Sequence, residues 1–349
     1  MREIASVFLR LGFFGFGGPA AHVAMMEELV VEKGKWIDRE HFLDLVGLTN
    51  LIPGPNSTEM AIHLGLLRGG VRGMLIAGFC FLGPAILMTG GIAFAYAQYG
   101  DLAWARAAFA GIQPAVIAVI LVAGYRLGKK AVTGPVHAVL GIAVAAAVLL
   151  GAPEIVALFA GTAIGTLVLA RVQRSQAGEL MSIFLFFLKV GSILYGSGYL
   201  LVAFIQSELV PAYLTQSELL DAIAVGQFTP GPVLSTATFL GFQMAGWPGA
   251  VVATIGIFLP SFVLVWLFRP IFRRLRESPR AASFLAAVRV AAVALLAAVL
   301  VDLGREVLIT IPAAIIFLAA VVAGIRFKIG SVGLIAGGGV AGLILGWVS

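Results

Sequence analysis

The stretch NLIPGPNSTE, at residues 50–59, interrupts an apolar part of the chain with two prolines on either side of a glycine. The same Pro-Gly-Pro returns at residues 230–232, within FTPGPVLST (228–236), again between apolar runs. Proline lacks a backbone donor and clashes with the preceding helical turn, so each motif ends one helix and allows another to begin. The two motifs therefore predict a pair of helix breaks in similar surroundings.

Apolar residues dominate the chain around these motifs. Of its 349 residues, 60% are hydrophobic and 11% are charged, and the mean hydropathy is +1.05. A soluble domain carries about 25% charged residues, whereas a bilayer crossing needs ~20 consecutive apolar residues, a length that residues 73–96 reach. The composition thus predicts an all-α polytopic membrane protein, which we expect in the cytoplasmic (inner) membrane.

The ionisable and sulfur-bearing residues exclude several classes of protein. The single Cys80 rules out a disulfide framework, and no spacing of His, Asp or Glu indicates a metal site. The formal charge of +6 lies in short loops, where Lys and Arg orient a membrane protein, so nucleic-acid binding is not expected. No nucleotide-binding phosphate loop is present, and we expect no cofactor. His22 and His41 are expected to line a polar surface.

The chain is also an internal duplication. FLRLG (8–12) aligns with FLKVG (187–191), and a slightly smaller offset then pairs Asp44 with Asp221, the two Pro-Gly-Pro motifs, and Gly69 with Gly246. We expect a first repeat over residues 1–170, a polar linker over 171–179 and a second repeat over 180–349.

Each repeat contains six apolar segments, and the charges of the loops between them predict the topology. Lys33, Lys35 and Arg39 follow the first segment of repeat one, whereas the matching loop of repeat two, residues 208–221, has no Lys or Arg. The charge pattern thus inverts between the repeats. Because Lys and Arg favour the cytoplasmic side, the membrane topology is expected to invert with it. In repeat one the segments lie at about 4–30, 42–67, 72–99, 103–127, 131–150 and 153–170, and in repeat two they begin near 180, 218, 247, 281, 306 and 328.

An inversion requires an odd number of crossings per repeat. We therefore predict two inverted-topology repeats, each with about five transmembrane helices plus one re-entrant or broken helical hairpin. The second segment is the first candidate for the hairpin, since Pro-Gly-Pro divides it into pieces too short to span a bilayer. The glycine-rich first segment is the second candidate.

A helix that starts at membrane depth presents free backbone N–H groups, which suit an anion. Asn56 after the first break, with Glu59 three positions on, has the spacing of a capping box. Each break thus predicts a helix N-terminus that holds an anion, and a packing kink is the alternative. The predicted substrate-binding residues of the two motifs are Pro53, Gly54, Pro55, Asn56, Ser57, Thr58, Pro230, Gly231, Pro232, Ser235 and Thr236.

Further candidates lie in the first segment of each repeat. Arg10 and Lys189 occupy matching positions inside apolar segments, where a cation either neutralises an anion or extends to the membrane interface. Glycine-rich breaks follow them, which either present backbone amides to a ligand or allow close helix packing. The predicted binding residues of these breaks are Gly17, Gly18, Gly196, Ser197 and Gly198.

Three carboxylates complete the candidate set. Asp44 and Asp221 match across the repeat and either carry a coupling proton or, the favoured interpretation, pair with a cation. Glu59 is the acidic member of the predicted cap, so the capping role is favoured for it. Proton coupling is the alternative and would be asymmetric, because Glu59 has no ionisable counterpart in the second repeat.

The motifs together resemble those of the chromate ion transporter family. FGGPAAH (16–22), Trp36 with FLD (42–44), LIPGPNSTE (51–59) and GFCFLGP (78–84) look like its first-domain signatures. TPGPV (229–233) and GIFLP (256–260) resemble its second domain. The resemblance implies a two-domain, long-chain carrier with halves of opposite topology. Such a carrier would expel chromate from the cytoplasm, energised by the membrane potential or a proton gradient, and recognise sulfate as a close structural relative.

We accordingly expect a secondary transporter with alternating access and not an enzyme. From the residues alone, the substrate is a compact oxyanion. The alternatives are an anion channel that uses the same breaks as a filter, and a membrane-embedded reductase, against which one Cys and no paired histidines argue. The expected partners are chromate or sulfate and the lipid bilayer, and a homodimer is left open.

Overall fold

The computed structural model describes residues 1–16, 18–49, 52–132, 134–149, 178–196, 200–210, 213–268 and 279–348. Helices make up most of this part of the chain. The first repeat contains α1 (Arg2–Phe14), α2 (Pro19–Met26), a π-helical stretch (Glu27–Lys33), α3 (Arg39–Thr49), β1 (Gly54–Pro55), α4 (Asn56–Tyr99), α5 (Ala103–Ala131) and α6 (Pro135–Leu149). The predicted segment at 153–170 lies outside the described residues.

The second repeat follows a similar order. It contains α7 (Glu179–Ile193), β2 (Tyr195–Gly196), α8 (Leu200–Glu208), α9 (Gln216–Phe228), a 3₁₀ turn (Val233–Ser235), α10 (Thr236–Phe268), α11 (Pro279–Val307), α12 (Ile311–Arg326) and α13 (Ser331–Val348). Within the described residues, three helical stretches are long and apolar enough to cross a membrane: Asn56–Tyr99, Ala103–Lys129 and Val233–Phe268. The prediction of an all-α membrane protein is confirmed at this level.

The long helix α4 folds back on itself. Its backbone leaves helical geometry at Gly69 and Gly70, where Gly70 has φ 61° and ψ −155°. The backbones of Gly65 and Gly73 then meet so closely that a side chain on either would collide with the other's carbonyl group. Residues eight apart in a straight helix are about 12 Å apart along the axis. Residues 56–68 and 71–99 are therefore the two arms of a helical hairpin.

Helix α10 repeats this hairpin. It breaks at Ala245 and Gly246, where Gly246 has φ 60° and ψ −151°, and its arms meet at Gly241 and Gly249. The conformation at Gly246 matches that of Gly70, so the predicted pairing of Gly246 with Gly69 is wrong by one residue. The reason is that the arm before the turn is one residue shorter in the second repeat.

Both candidate segments of the first repeat are broken in the structure. Helix α1 ends before Gly15 and α2 begins at Pro19, which occupies the first helical position, where proline is favoured. Helices α3 and α4 lie on either side of the Pro-Gly-Pro motif. Which of the two segments is re-entrant, and the number of crossings, remain predictions.

The chain forms two compact units, and each unit draws on both repeats. The first comprises Met1–Phe94, Ala177–Gly198 and Val225–Ala282, and it contains both Pro-Gly-Pro motifs. The second comprises Ala95–Gln176, Tyr199–Ala224 and Ser283–Ser349. In the second unit, α5 packs on α12 and α13.

Candidate anion-binding site

The two Pro-Gly-Pro turns lie inside the first unit, and each is bonded to the other repeat. The backbone N–H of Gly54 donates to the carbonyl of Leu194 (2.5 Å), and the N–H of Gly231 donates to the carbonyl of Gly15 (2.9 Å). Gly15 and Leu194 stand at matching positions of the aligned sequence, so the two bonds are equivalents. Strand β1 also pairs in parallel with β2, which sets Pro55 opposite Gly196.

The turn at Gly54 requires glycine for two reasons. Its φ of 137° is a conformation that other residues rarely adopt, and a side chain there would collide with Glu59 and Ser261. Gly231, with φ 95°, is packed in the same way against Ala85, which corresponds to Ser261 at the register of the helical hairpins. The turn thus places the backbone of Gly54 close to the first turn of the following helix.

Buried hydroxyl groups follow the first turn without a protein partner. The side chains of Ser57 and Thr58 are fully buried in the first turn of the 56–68 arm. The Oγ of Ser57 and the Oγ1 of Thr58 make no hydrogen bond to any described residue. The first four N–H groups of a helix also lack partners within it. Because burying such groups unpaired costs free energy, this helix start is suited to a ligand with hydrogen-bond acceptors.

The second turn differs, because its hydroxyl groups are used within the protein. The Oγ1 of Thr89 donates to the Oγ of Ser235 at 3.1 Å. The Oγ1 of Thr236 donates to the carbonyl of Val233 at 2.7 Å. Thr229, just before the second motif, donates its hydroxyl to the carbonyl of Val225. The second helix start is therefore closed by protein contacts where the first is not.

Glu59 is fully buried beside the first turn. Its Oε1 accepts a hydrogen bond from the Oγ of Ser261 at 2.5 Å, so the structure gives this carboxylate a partner outside its own helix. Its Oε2 accepts no hydrogen bond from the described residues, and no described cation lies within salt-bridge distance of it. The described bond of Glu59 is thus to Ser261, and its capping role stays a prediction.

The other predicted binding residues are more scattered. Arg10 is exposed on α1, and Lys189 is half-buried on α7 with its Nζ 5.7 Å from the centre of the Phe186 ring. Gly18 has φ 78° at the start of α2. The predicted residues Gly17, Ser197 and Gly198 lie outside the described residues.

The predicted pair of aspartates is divided between the units. Asp44 is half-buried on α3, in the first unit. Asp221, in the second unit, is buried, and its two oxygens accept hydrogen bonds from Tyr96 Oη (2.8 Å) and Gln113 Nε2 (3.0 Å). These neutral donors, and not a described cation, hold Asp221.

His22 corrects one sequence-based expectation. It is fully buried, not on a polar surface, while His41 is exposed as expected. The Nε2 of His22 lies 2.7 Å from the carbonyl of Gly15, which only accepts, so this nitrogen donates. The same carbonyl receives the N–H of Gly231, and His22 thus supports the contact between the repeats.

Sequence reasoning missed Thr89 and Ser261, which contact residues more than a hundred positions away. A polar residue inside an apolar run was the available signal for both.

An apolar groove of about 360 Å³ beside Pro53, lined by Leu188, Leu259 and Val263 among others, offers no charge for an anion.

A family model described as "Chromate transporter" matches the chain twice, over residues 2–166 and 181–343. A probable chromate transport protein of Synechococcus elongatus is 32% identical over 92% of this chain and 89% of its own length. The chromate transport proteins of Cupriavidus metallidurans and Pseudomonas aeruginosa are 31% and 28% identical over 99% and 98% of this chain, covering 93% and 92% of their own lengths. No solved structure matches.

Proposed function

The chain belongs to the chromate transporter family, and from this premise we propose that it exports chromate across the cytoplasmic membrane as a secondary transporter with alternating access. Sulfate and similar tetrahedral oxyanions share the size and charge of chromate, and we include them as substrates. The protein would be a multi-pass component of the inner membrane and not an enzyme.

The observation that carries the proposal is the open helix start after the first Pro-Gly-Pro turn. Ser57 and Thr58 place two buried, unpartnered hydroxyl groups beside the free N–H groups of the 56–68 arm. An oxyanion accepts hydrogen bonds from all of these groups, and the positive end of the helix dipole favours its charge. We therefore assign the tighter anion contact to the first repeat.

The remaining predicted residues have supporting roles in this proposal. Pro53, Gly54 and Pro55 shape the turn, and Asn56 begins the helix. The second turn, at residues 230–232, is bonded to the glycine break of the first repeat, since the N–H of Gly231 donates to the carbonyl of Gly15. Arg10 and Lys189 would raise the local anion concentration, and the glycine breaks at Gly17, Gly18, Gly196, Ser197 and Gly198 would allow the two repeats to approach.

Inverted repeats would supply the alternating access. The matched bonds of Gly54 to Leu194 and of Gly231 to Gly15 support a two-fold relation between the repeats. If that axis lies in the membrane plane, an exchange of conformation between the two repeats would open the site to the opposite side. We propose about five crossings and one hairpin per repeat.

The membrane potential provides a sufficient driving force. With the cytoplasm negative, each exported negative charge gains ~2.3 kcal/mol per 100 mV, so a dianion gains roughly twice that. A proton gradient is the second source that we consider.

Uptake of labelled chromate and sulfate into everted membrane vesicles tests the proposal. We expect uptake in vesicles that contain the protein, accelerated by an interior-positive potential and absent from vesicles without it. Absence of uptake for both anions would contradict the function. Single-channel currents would contradict the alternating-access mechanism and favour an anion channel.

A further inference from the structure

The environment of Glu59 suits a proton, which would be a second ligand of the anion site at Ser57 and Thr58. The first turn of the 56–68 arm places Glu59 one and two residues beyond Thr58 and Ser57, within about 3 Å along the helix axis. All three side chains are fully buried, and each has an oxygen without a partner among the described residues. A carboxylate and the groups that suit an oxyanion therefore share one turn of helix.

The surroundings provide no described counter-charge for this carboxylate. Helix α10, which supplies Ser261, contains no ionisable side chain along its whole length. On its own arm, the nearest titratable group is the buried His63, one turn further on. In the strand that pairs with Gly54, the titratable residue is Tyr195. The other titratable groups of α1, α2, α4 and α7 are Arg2, Glu3, Arg10, His22, Arg68, Arg72, Cys80, Tyr96, Tyr99, Glu179 and Lys189.

Two negative charges in this position would repel each other strongly. A buried pair of charges is screened far less than a pair in water, and a bound dianion would meet an ionised Glu59 across one helical turn. A protonated Glu59 removes the repulsion and still accepts the bond from Ser261 through its carbonyl oxygen. The carboxyl hydrogen then occupies the oxygen that has no described partner.

We propose that Glu59 couples anion binding to proton binding: the oxyanion binds at Ser57 and Thr58 when Glu59 is protonated, so one proton is taken up with each anion. This inference rests on the proposed function and names the coupling of the same site. By linkage, the anion tightens proton binding by the same factor as the proton tightens anion binding. A dianion that moves together with this proton carries one net negative charge instead of two, so the membrane potential, and not a proton gradient, would drive its export.

Calorimetric binding of sulfate to the purified full-length protein tests the coupling. Sulfate is the probe because its own charge does not change between about pH 5 and about pH 9, unlike that of chromate. In the wild type, we expect the Kd to rise with pH by up to about tenfold per pH unit, and proton uptake, measured in buffers of different ionisation enthalpy, to approach one per sulfate. Glu59→Gln should bind with a pH-independent Kd and no uptake. Glu28→Gln, which changes an exposed carboxylate, should behave like the wild type.

The outcomes separate the coupling from the function. Binding by the wild type with no pH dependence, or with proton release, would overturn the coupling alone. Binding of neither sulfate nor chromate at any pH would overturn the proposed function and the coupling with it. Infrared difference spectra of the wild type provide a readout that needs no variant. We expect a protonated-carboxyl band to grow when sulfate binds, and a constant band would contradict the proposal.

Discussion

At the scale of single residues, the two Pro-Gly-Pro turns are followed by similar hydroxyl groups that have different partners. Ser235 accepts a bond from Thr89, and Thr236 donates to a backbone carbonyl. Ser57 and Thr58 have no partner among the described residues. Since an unpartnered buried hydroxyl costs free energy, the difference favours a ligand at the first turn.

The first prediction concerns these free hydroxyl groups. Ser57→Ala should weaken sulfate binding by roughly 10- to 100-fold, because a hydrogen bond to a charged group contributes about 1.5–3 kcal/mol. Calorimetric titration of the purified variant measures the change. Ser6→Ala, on the exposed surface of α1, is the control and should bind like the wild type. An unchanged Kd in Ser57→Ala would place the anion elsewhere.

The second prediction concerns the closed turn. Thr89→Val removes the donor to Ser235 with little change of shape, and we expect a loss of about 1 kcal/mol of unfolding free energy. Sulfate affinity should stay at the wild-type value, because Thr89 bonds the second turn. Thermal unfolding in detergent and calorimetry measure the two quantities. A larger loss of affinity than in Ser57→Ala would contradict the assignment of the anion to the first repeat.

Much of the candidate site followed from the sequence, and the rest had a physical reason to be hidden. The prolines mark the helix breaks through their missing donors, so the turns at Gly54 and Gly231 were accessible to local reasoning. The lack of a described partner for the Ser57 hydroxyl could not be predicted in this way, because it depends on whether a distant segment supplies a residue such as Thr89. Local sequence says which hydroxyl groups are present, and tertiary contacts decide which are used.

At the scale of elements, the helical hairpins of α4 and α10 carry the helix starts. Each hairpin is held where its arms meet at a glycine pair, Gly65 with Gly73 and Gly241 with Gly249. Small residues allow the backbones to approach closely, and the resulting van der Waals packing favours helix association in a membrane. The sequence predicted the start of the 56–68 arm from Pro-Gly-Pro, and a loop between the apolar segments at 42–67 and 72–99, but not the close contact of the two arms.

The third prediction tests this packing. Gly73→Ala places a methyl group against the carbonyl of Gly65, so we expect a loss of about 1–3 kcal/mol of unfolding free energy. Gly83→Ala, on the same arm, is the matched control, because its methyl group would meet open space. Thermal unfolding in nanodiscs measures both variants. Equal melting temperatures for the two would contradict the fold-back of α4.

At the scale of the whole molecule, each compact unit contains chain from both repeats. The double match of the family model, over residues 2–166 and 181–343, agrees with the internal duplication found in the sequence. The predicted inverted orientation of the repeats rests on loop charge, because Lys and Arg are retained on the cytoplasmic side. Sequence alone cannot show how two repeats exchange segments, since that depends on contacts such as the one between Gly54 and Leu194.

The fourth prediction tests the inversion. In a Cys80→Ser background, a cysteine introduced by Lys35→Cys should react with an impermeant maleimide from the cytoplasmic side. One introduced by Tyr213→Cys, in the matching loop of the second repeat, should react from the opposite side. Both native side chains are exposed, so access to the reagent is not limited by burial. Labelling of both from one side would contradict inverted repeats.

The central claim is that the helix start at Ser57 and Thr58 holds the oxyanion during transport, and flux through reconstituted protein tests it most directly. Proteoliposomes are loaded with labelled chromate, and its efflux is followed under a fixed membrane potential. We predict efflux by the wild type and by Ser6→Ala, and a loss of at least about tenfold at low substrate concentration in the double variant Ser57→Ala/Thr58→Val. Wild-type efflux from a correctly folded double variant would contradict the account.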